Sequence, residues 1–577
     1  MHSSVKSKDT IYILLFILIS ILFVFPFIHT GRLVADVDWL FHASRAEQIY
    51  LNLRRGAWLS FIATNTFQHT GSGSFLFYPY IFIYPWALFR FFTNPITAFY
   101  LWKALLTFLS LCISFYCMKA FSKNRLMSLL FAVTYVFNTY RLYLGFYVFG
   151  EYIASTFLPL VFYGFYLMFF SPNTKKENQD KAVLVLSIGM SLLIYSHLVS
   201  VVITLEAFML ILLIYSLAGN LGKALSQWKN VVKSIILTFL LCLPLCYMFI
   251  FDYIGKNITS TKLGIMLNLV QPLSLIINSS IDNLINANSI GIFLIFTFMF
   301  GWLFWGEKQD QSKLYMCIYL LGVFFLLIAS ASFPWYLFNH GALGVIQIPY
   351  RYLEFSAFFF SIIFAKLCTT FLTEKLNLTI ACATALVLAV TIFSYWVPVK
   401  DIYTELKTSV PTQFSQIKSR KFSRSILDKF NYDHQFDYII PWGETDYFPE
   451  KSITNPRNSG SIVRGNVYSN GKKIKTVKTK YLPNVIVYDV SQAKSRDLDL
   501  PCIPYHHTYV KVDGKLVNYK ESDRGTVLIS HNVIKKNLSR IEVGFNPGIF
   551  YYLCIAITIS TWIVIIIWDV RIKEQIR

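Results

Sequence analysis

The chain has 577 residues, of which 55% are hydrophobic, 18% aromatic and only 14% charged, with a mean hydropathy of +0.51. A soluble domain carries about 25% charged residues, so a single water-soluble globule is excluded, as is a disordered chain. The net charge of +21, from 52 Lys and Arg against 31 Asp and Glu, points first to basic cytoplasmic loops and requires no nucleic-acid partner.

The first apolar run is Thr10 to Ile28, preceded by Lys6 and Lys8. It is too long for a signal-peptide core and no small-x-small cleavage site follows it, so it reads as a retained first span. A bilayer core takes about 20 apolar residues per helix. Further spans are expected near 95–118, 126–143, 151–170, 182–196, 198–217, 231–251, 289–306, 314–331, 350–369, 376–396 and 548–569, about twelve in all. The stretch 76–92 is apolar too, but Pro79 and Pro85 break it and Arg90 sits near its end, so it reads as interfacial.

That assignment puts Lys119, Lys123, Arg125, Lys175, Lys176, Lys181, Lys223, Lys229, Lys233, Lys308, Lys313, Lys375, Arg571, Lys573 and Arg577 on one side with Lys6 and Lys8. The positive-inside rule makes that side cytoplasmic, with both termini. Segments 30–94, 144–150, the turn at Ser196-His197, 252–288, 332–349 and the polar block 397–546 then face outward. The block carries 24 Lys and Arg against 15 Asp and Glu, a surplus of nine positive charges. Its second half alternates in β fashion at 484–490, 507–512, 525–530 and 540–545, with Asp513-Gly514 as a hairpin turn. Eight of the nine cysteines lie in apolar segments, and Cys502 alone falls in the block, so no disulfide forms within it. The expected organisation is mainly α and polytopic: a transmembrane module over 1–396 with a first outer loop at 30–94, an extracytoplasmic β-rich domain at 397–546, and a last span and tail at 547–577.

Unusual polar residues gather on the outward side. Asp36, Asp38 and His42 follow the first span, and Asp38 and His42 are four apart, on one face of any helix there. These acids either end a helix at the headgroups or serve a site. Glu151 follows Gly150 at the start of a span, where it complements the helix dipole or does chemistry. His197 marks a hairpin, more simply as a structural residue than as a ligand. Gln347, Arg351 and Glu354 open another span, where Arg351 is either a headgroup anchor or a phosphate clamp that grips two oxygens. Arg141 and His340 are weaker candidates of the same kind. No nucleotide-binding glycine loop, zinc-type cysteine pairing or hydrolase signature occurs, so ATP-driven transport and nucleotide or flavin cofactors are not expected.

Asp38-x-x-x-His42, Gly71-Ser72-Gly73, Phe77-Tyr78-Pro79, Gly150-Glu151, Ser196-His197, 346–353 (IQIPYRYL), 446–451 (DYFPEK) and 500–517 occur in this order. Together they resemble the GT-C class of membrane glycosyltransferases, and within it the YfhO-like bacterial membrane proteins. The resemblance covers nearly the whole chain. One departure is 505–509 (YHHTY), where relatives tend to carry Tyr-Pro-Gly.

The resemblance implies an enzyme of the bacterial plasma membrane. It would transfer a sugar from a polyprenyl-phosphate donor to a cell-envelope polymer, teichoic acid, lipoteichoic acid or a wall polysaccharide, on the outer face and with inversion. Asp38, with Asp36 next, would be the general base. Arg351 would stabilise the leaving phosphate, and His42, Glu151, His197, Tyr78 and Gln347 would bind or orient substrate. If a metal takes part, Asp38, His42 and Glu151 are its candidate ligands and Mg²⁺ or Mn²⁺ the fitting ion. Membrane lipids and an anionic polymer acceptor are the expected partners. The rival readings are a lipid or polysaccharide transporter, which calls for acids inside the spans (Glu206 is the clearest) and an internal repeat, and a non-enzymatic envelope-assembly scaffold.

Overall fold

The computed structural model describes residues 2–171, 176–254, 256–258, 264–302, 312–339, 341–372, 380–474, 477–490, 497–531 and 540–575. Lys175, Lys308, Lys375, Arg577 and His340 lie outside them. Among the described residues six helices are long and apolar enough to cross a membrane: Thr10–Thr30, Pro95–Ser122, Phe149–Phe169, Leu198–Ser226, Pro349–Thr370 and Ile549–Ile567. A seventh crossing arises if Trp228–Leu241 and Leu243–Tyr253, bent by 75° at their junction, count as one. The chain is a multi-pass membrane protein.

Of the other expected spans, 182–196 lies in the helix Lys176–Ile194, and 376–396, whose first four residues lie outside the described ones, runs into Ile380–Thr408; the rest take shorter forms. The run 126–143 is divided into Arg125–Val136 and Thr139–Tyr147. Asn138 makes the break: its side chain accepts from Arg141 N at 2.9 Å and donates to Tyr135 O at 2.6 Å, capping a new helix. The runs at 289–306 and 314–331 become Ile292–Phe300, which starts after Gly291 at φ 86°, and Ser312–Ile328. The stretch 76–92 is broken as expected, into Ser74–Phe77, a short turn at Ile81–Ile83, and Tyr84–Phe89 with Pro85 in its first turn.

Backbone contacts divide the chain into two interleaved compact units. One comprises Met1–Val34, Phe99–Leu237 and Leu263–Val410; the other comprises Ala35–Ala98, Thr238–Lys262 and Pro411–Arg577. In the first, close helix packing rests on small residues. A Cβ at Gly164 would come within 2.6 Å of the Leu186 backbone, and one at Gly189 within 3.1 Å of that of Val161, so only glycine lets this hairpin of helices close. Aromatic rings fill the rest, as where Phe165 stacks on Phe208 at 3.9 Å.

The second unit holds the outer loop from Ala35, the helix Leu243–Tyr253, the polar block from Pro411 and the last span. Two five-stranded antiparallel sheets form its β part. One runs in the order Lys478–Leu482, Val485–Asp489, Arg540–Phe545, Thr508–Val512, Lys515–Val517. The other runs Lys520–Glu521, Val527–Ile529, Leu498–Leu500, Tyr468–Ser469, Lys472–Lys473. All four alternating segments read from sequence are strands. Val512 pairs with Lys515 across Asp513 (φ 45°) and Gly514 (φ 81°), the double positive φ of a tight hairpin. Alternate residues such as Ile486, Tyr488, Leu498, Val510, Val527 and Ile541 make the core. Cys502 is a buried free thiol within it.

The glycine motif of the outer loop packs onto this unit. Gly73 N donates to Tyr505 Oη at 2.6 Å, and a Cβ at Gly73 would lie 2.6 Å from the Tyr505 ring; one at Gly71 (φ 70°) would lie 2.9 Å from Cys502 Sγ. The loop and the 500–517 motif are two halves of one close contact, which gives their joint presence a physical cause.

Candidate functional site

Asp38 is the N-cap of the helix Trp39–Arg54, and its backbone carbonyl accepts from His42 N at 3.2 Å, so the two residues sit one turn apart. Its carboxylate does not accept from the helix's first N–H groups. His42 is buried, its ring meeting Phe41 at 5.2 Å and Tyr78 at 5.7 Å. Tyr78 is therefore brought to this face of the helix. Asp36 is bound differently: Oδ2 pairs with Arg424 Nη1 at 2.9 Å and Oδ1 accepts from Val37 N at 2.8 Å, with the pair still partly exposed.

Three charged groups near this helix were not singled out from sequence. Arg45 continues the stripe, three residues past His42 and seven past Asp38, with no exposed surface. Burial holds its guanidinium below the usual range, at about 10. Glu444 and Asp446 lie in the segment whose Gly443 abuts Phe41, where a Cβ would come within 2.5 Å of the ring. Burial pushes Glu444 up to about 8, offset in part by the Ile440 N–H that its Oε2 accepts at 2.8 Å. Burial likewise raises Asp446 to about 6. The available signals were Arg45's helical spacing and two acids set among Trp442, Tyr447 and Phe448.

In the other unit the structure gathers Glu151, Arg351 and Gln347. Arg351 Nε donates to Glu151 Oε1 at 2.5 Å, and its Nη1 donates to Ile346 O at 2.7 Å and Gln347 Oε1 at 3.4 Å. Tyr140 Oη donates to Glu151 Oε2 at 3.4 Å. Arg351 Nη2 hydrogen-bonds no described residue. The chain turns sharply into this helix: Ile348 N donates to Ile346 O at 2.6 Å around Gln347, held at φ 60°, ψ −49°. That is a strained γ-turn, a conformation that concentrates at functional positions. His197 caps the helix Leu198–Tyr215, its Nδ1 accepting from Ser200 N at 3.3 Å. Burial, with the Arg351 charge second, pushes its imidazole well below the usual range, so it is neutral. Glu206, the one clear mid-span acid, accepts from Tyr352 Oη at 2.7 Å. Arg141 is buried and satisfied by Ser155, Ser110, Thr156 and the Val136 carbonyl.

The same unit contains a cavity of about 530 Å³, almost wholly apolar, lined among others by Phe162, Phe165, Tyr166, Leu210, Phe324 and Phe359. It has the chemistry of a hydrocarbon chain, not of a sugar. Among the described residues no three His, Cys, Asp or Glu side chains come together as a metal cage. Mg²⁺ needs no such cage where one or two carboxylates and substrate phosphates share it.

No protein-family model matches the chain, and no curated protein is found similar to it. Among solved structures it is similar to the arabinofuranosyltransferase AftD from Mycobacteria, with 11% identity and a TM-score of 0.39 over 70% of this chain. The match covers 27% of that protein, so the chain spans about a quarter of its length. It is also similar to ArnT from Cupriavidus metallidurans bound to undecaprenyl phosphate, with 9% identity and a TM-score of 0.40, covering 91% of this chain and 98% of that one. The archaeal oligosaccharyltransferase AglB from Archaeoglobus fulgidus, in complex with an inhibitory peptide and a dolichol-phosphate, gives 10% identity and a TM-score of 0.38 over 77% of this chain and 61% of that one. Likenesses of this size carry no argument about what the chain does.

Proposed function

We propose that the chain is a GT-C-type, YfhO-like glycosyltransferase that moves a sugar from a polyprenyl-phosphate donor to an envelope polymer on the outer face of a bacterial plasma membrane. The observation that carries the reading is the stripe Asp38–His42–Arg45: an acid, an imidazole and a cation on one helix, beside Tyr78 and close to the glycine loop. Both termini are cytoplasmic in this reading, and the block 397–546 is extracytoplasmic, where its basic surplus suits an anionic wall polymer such as teichoic acid.

The step is a single displacement. The acceptor hydroxyl oxygen forms a bond to the anomeric carbon as that carbon's bond to the phosphate oxygen breaks, with inversion. Asp38 takes the hydroxyl proton, and the polyprenyl phosphate leaves with the electron pair. Asp38 is preferred to Asp36 because it caps the helix one turn from His42. A base of this kind contributes about 10²–10⁴-fold to the rate. His42 and Tyr78 orient the acceptor. Glu151, Arg351, Gln347 and His197 form a separate group whose open Arg351 Nη2 suits one phosphate oxygen, and the apolar cavity suits a hydrocarbon chain. If a divalent cation takes part, Asp38 and His42 would hold it together with phosphate oxygens; it would offset phosphate charge, and no step above depends on it.

The test is reconstitution of the full chain in vesicles with a polyprenyl-phosphate sugar and wall polymer. Release of polyprenyl phosphate together with a heavier polymer is expected; sugar that stays on the lipid refutes the reading. One observation favours a transporter as the second reading: Lys103 Nζ and Glu354 Oε1, both inside spans, are buried without hydrogen-bond partners. Transport of the lipid-linked sugar across the same vesicles, unaffected by Asp38→Asn, would favour it.

A further inference from the structure

The described buried arginines fall into two groups. Arg351 is paired with Glu151, Arg90 with Glu47 and Arg524 with Asp499, while Arg141 is satisfied by hydroxyls and a carbonyl. Arg45 has neither a carboxylate partner nor a full set of acceptors. Its Nη2 donates to the carbonyls of Tyr78 at 2.7 Å and Pro79 at 2.6 Å, but Nε and Nη1 are buried without a hydrogen-bond partner. No described carboxylate forms an ion pair with it. What surrounds it is aromatic: the rings of Tyr78, Phe41 and Phe75 lie 4.7, 5.4 and 5.8 Å from its Cζ.

Aromatic faces return part of the cost of burying a cation, and two backbone carbonyls return more. Neither satisfies the two remaining nitrogens, and a buried charge without a counter-ion is among the most expensive groups a fold can hold. Positioning Tyr78 does not explain it, since only Nη2 is used for that. A second costly feature lies close by. Tyr447, whose phenol is within electrostatic reach of Arg45, is held at φ 68°, a region that bulky side chains occupy only under constraint. Both features adjoin the stripe that carries Asp38 and His42.

We propose that Arg45 is the cation of a phosphate-binding site on this stripe, and that a phosphate ester supplies the missing counter-ion to Nε and Nη1. Nε and Nη1 donate from different edges of the guanidinium plane, so each takes its own oxygen acceptor, and a phosphate oxygen on either supplies the negative charge that no carboxylate provides. Entry of the ligand displaces part of the aromatic cage, and rearrangement of the strained turn at Tyr447 offsets that displacement. The inference rests on the transferase reading and deepens it: Glu151 neutralises Arg351, which keeps Nη2 for a phosphate oxygen, whereas the charge of Arg45 has no described carboxylate opposite it.

Binding can be measured without transfer, on the full chain in detergent, by titration calorimetry. The probes are farnesyl phosphate, farnesol, and a short glycerol-phosphate oligomer standing for an anionic acceptor. For wild type, farnesyl phosphate is expected to bind more tightly than farnesol, and Arg45→Met to weaken it by about tenfold or more with farnesol unchanged. If the oligomer alone depends on Arg45, the phosphate is the acceptor's and the site stands. Equal binding of both phosphate probes by wild type and Arg45→Met overturns the proposal. If Arg45→Met does not fold, Arg45→Lys decides: it keeps the charge but loses the planar guanidinium, so several-fold weaker phosphate binding is expected and unchanged binding overturns it. Transfer at wild-type KM for the donor and acceptor in Arg45→Met would sink the proposal and leave the transferase reading intact. Arg45-dependent binding without any transfer would do the reverse.

Discussion

Arg351 and Glu151, 200 positions apart in sequence, meet at 2.5 Å within the first unit. Each lies near the start of a helix, and each is among the few charged residues there. Removing one partner leaves the other as an uncompensated buried charge. Glu151→Ala is therefore expected to lower stability by about 3–5 kcal/mol, and Glu151→Ala with Arg351→Met to recover most of the loss. Unfolding in detergent, followed by circular dichroism, measures both. A double variant as unstable as the single one would show that the pair is not coupled.

Asp36 and Asp38 are two residues apart and should behave differently. The Asp36–Arg424 pair is partly exposed, a class of contact worth about 0–1 kcal/mol. Asp36→Asn is expected to leave transfer within about threefold of wild type, against the loss of about 10²-fold or more for a missing base. Initial rates in reconstituted vesicles provide the check, and a loss at Asp36 as large as at Asp38 would make the two acids joint partners.

Gly73→Ala places a methyl group 2.6 Å from the Tyr505 ring, where the ring must move. Overpacking of this kind costs about 1–3 kcal/mol. Because Tyr505 Oη also accepts from Gly73 N, the cost should appear as a lower unfolding midpoint, and Tyr505→Leu should offset part of it. Additive midpoints for the two substitutions would argue against the contact.

Glu444 gives a pH dependence of stability with a defined sign. Its carboxyl ionises at about 8 in the folded chain, above an unfolded value near the ordinary carboxylate range of about 4.3. Between these values the unfolded chain has released the proton and the folded chain retains it. The unfolded state thus binds fewer protons, and stability falls as pH rises from about 4.3 to 8. Glu444→Gln removes this contribution. Unfolding midpoints of the two proteins should differ in slope within that range and run parallel outside it; identical slopes throughout would place the Glu444 proton elsewhere.

Much of this was legible in the sequence, for identifiable reasons. Strands such as Val485–Asp489 and Arg540–Phe545 have one buried face, and alternation records burial directly. Thr10–Thr30 and Ile549–Ile567 are continuous apolar runs, which hydropathy registers. The break at Asn138 was not legible, because one capping side chain divides a run whose mean hydropathy stays high. Glu151 and Arg351 were chosen separately, but nothing in a single sequence links positions 200 apart. Arg45 escaped notice because its significance is an unmet hydrogen-bonding requirement, which exists only once its neighbours are placed.

The central claim, that Asp38 is the base in sugar transfer from a polyprenyl phosphate, is tested most directly by mass analysis of envelope polymers and polyprenyl-phosphate sugars. Cells carrying the wild-type gene, Asp38→Asn, or no gene would be compared at matched protein level and membrane insertion. The account predicts that Asp38→Asn reproduces the gene deletion, with undecorated polymer and accumulated lipid-linked sugar. Full decoration of the polymer in Asp38→Asn cells would contradict it.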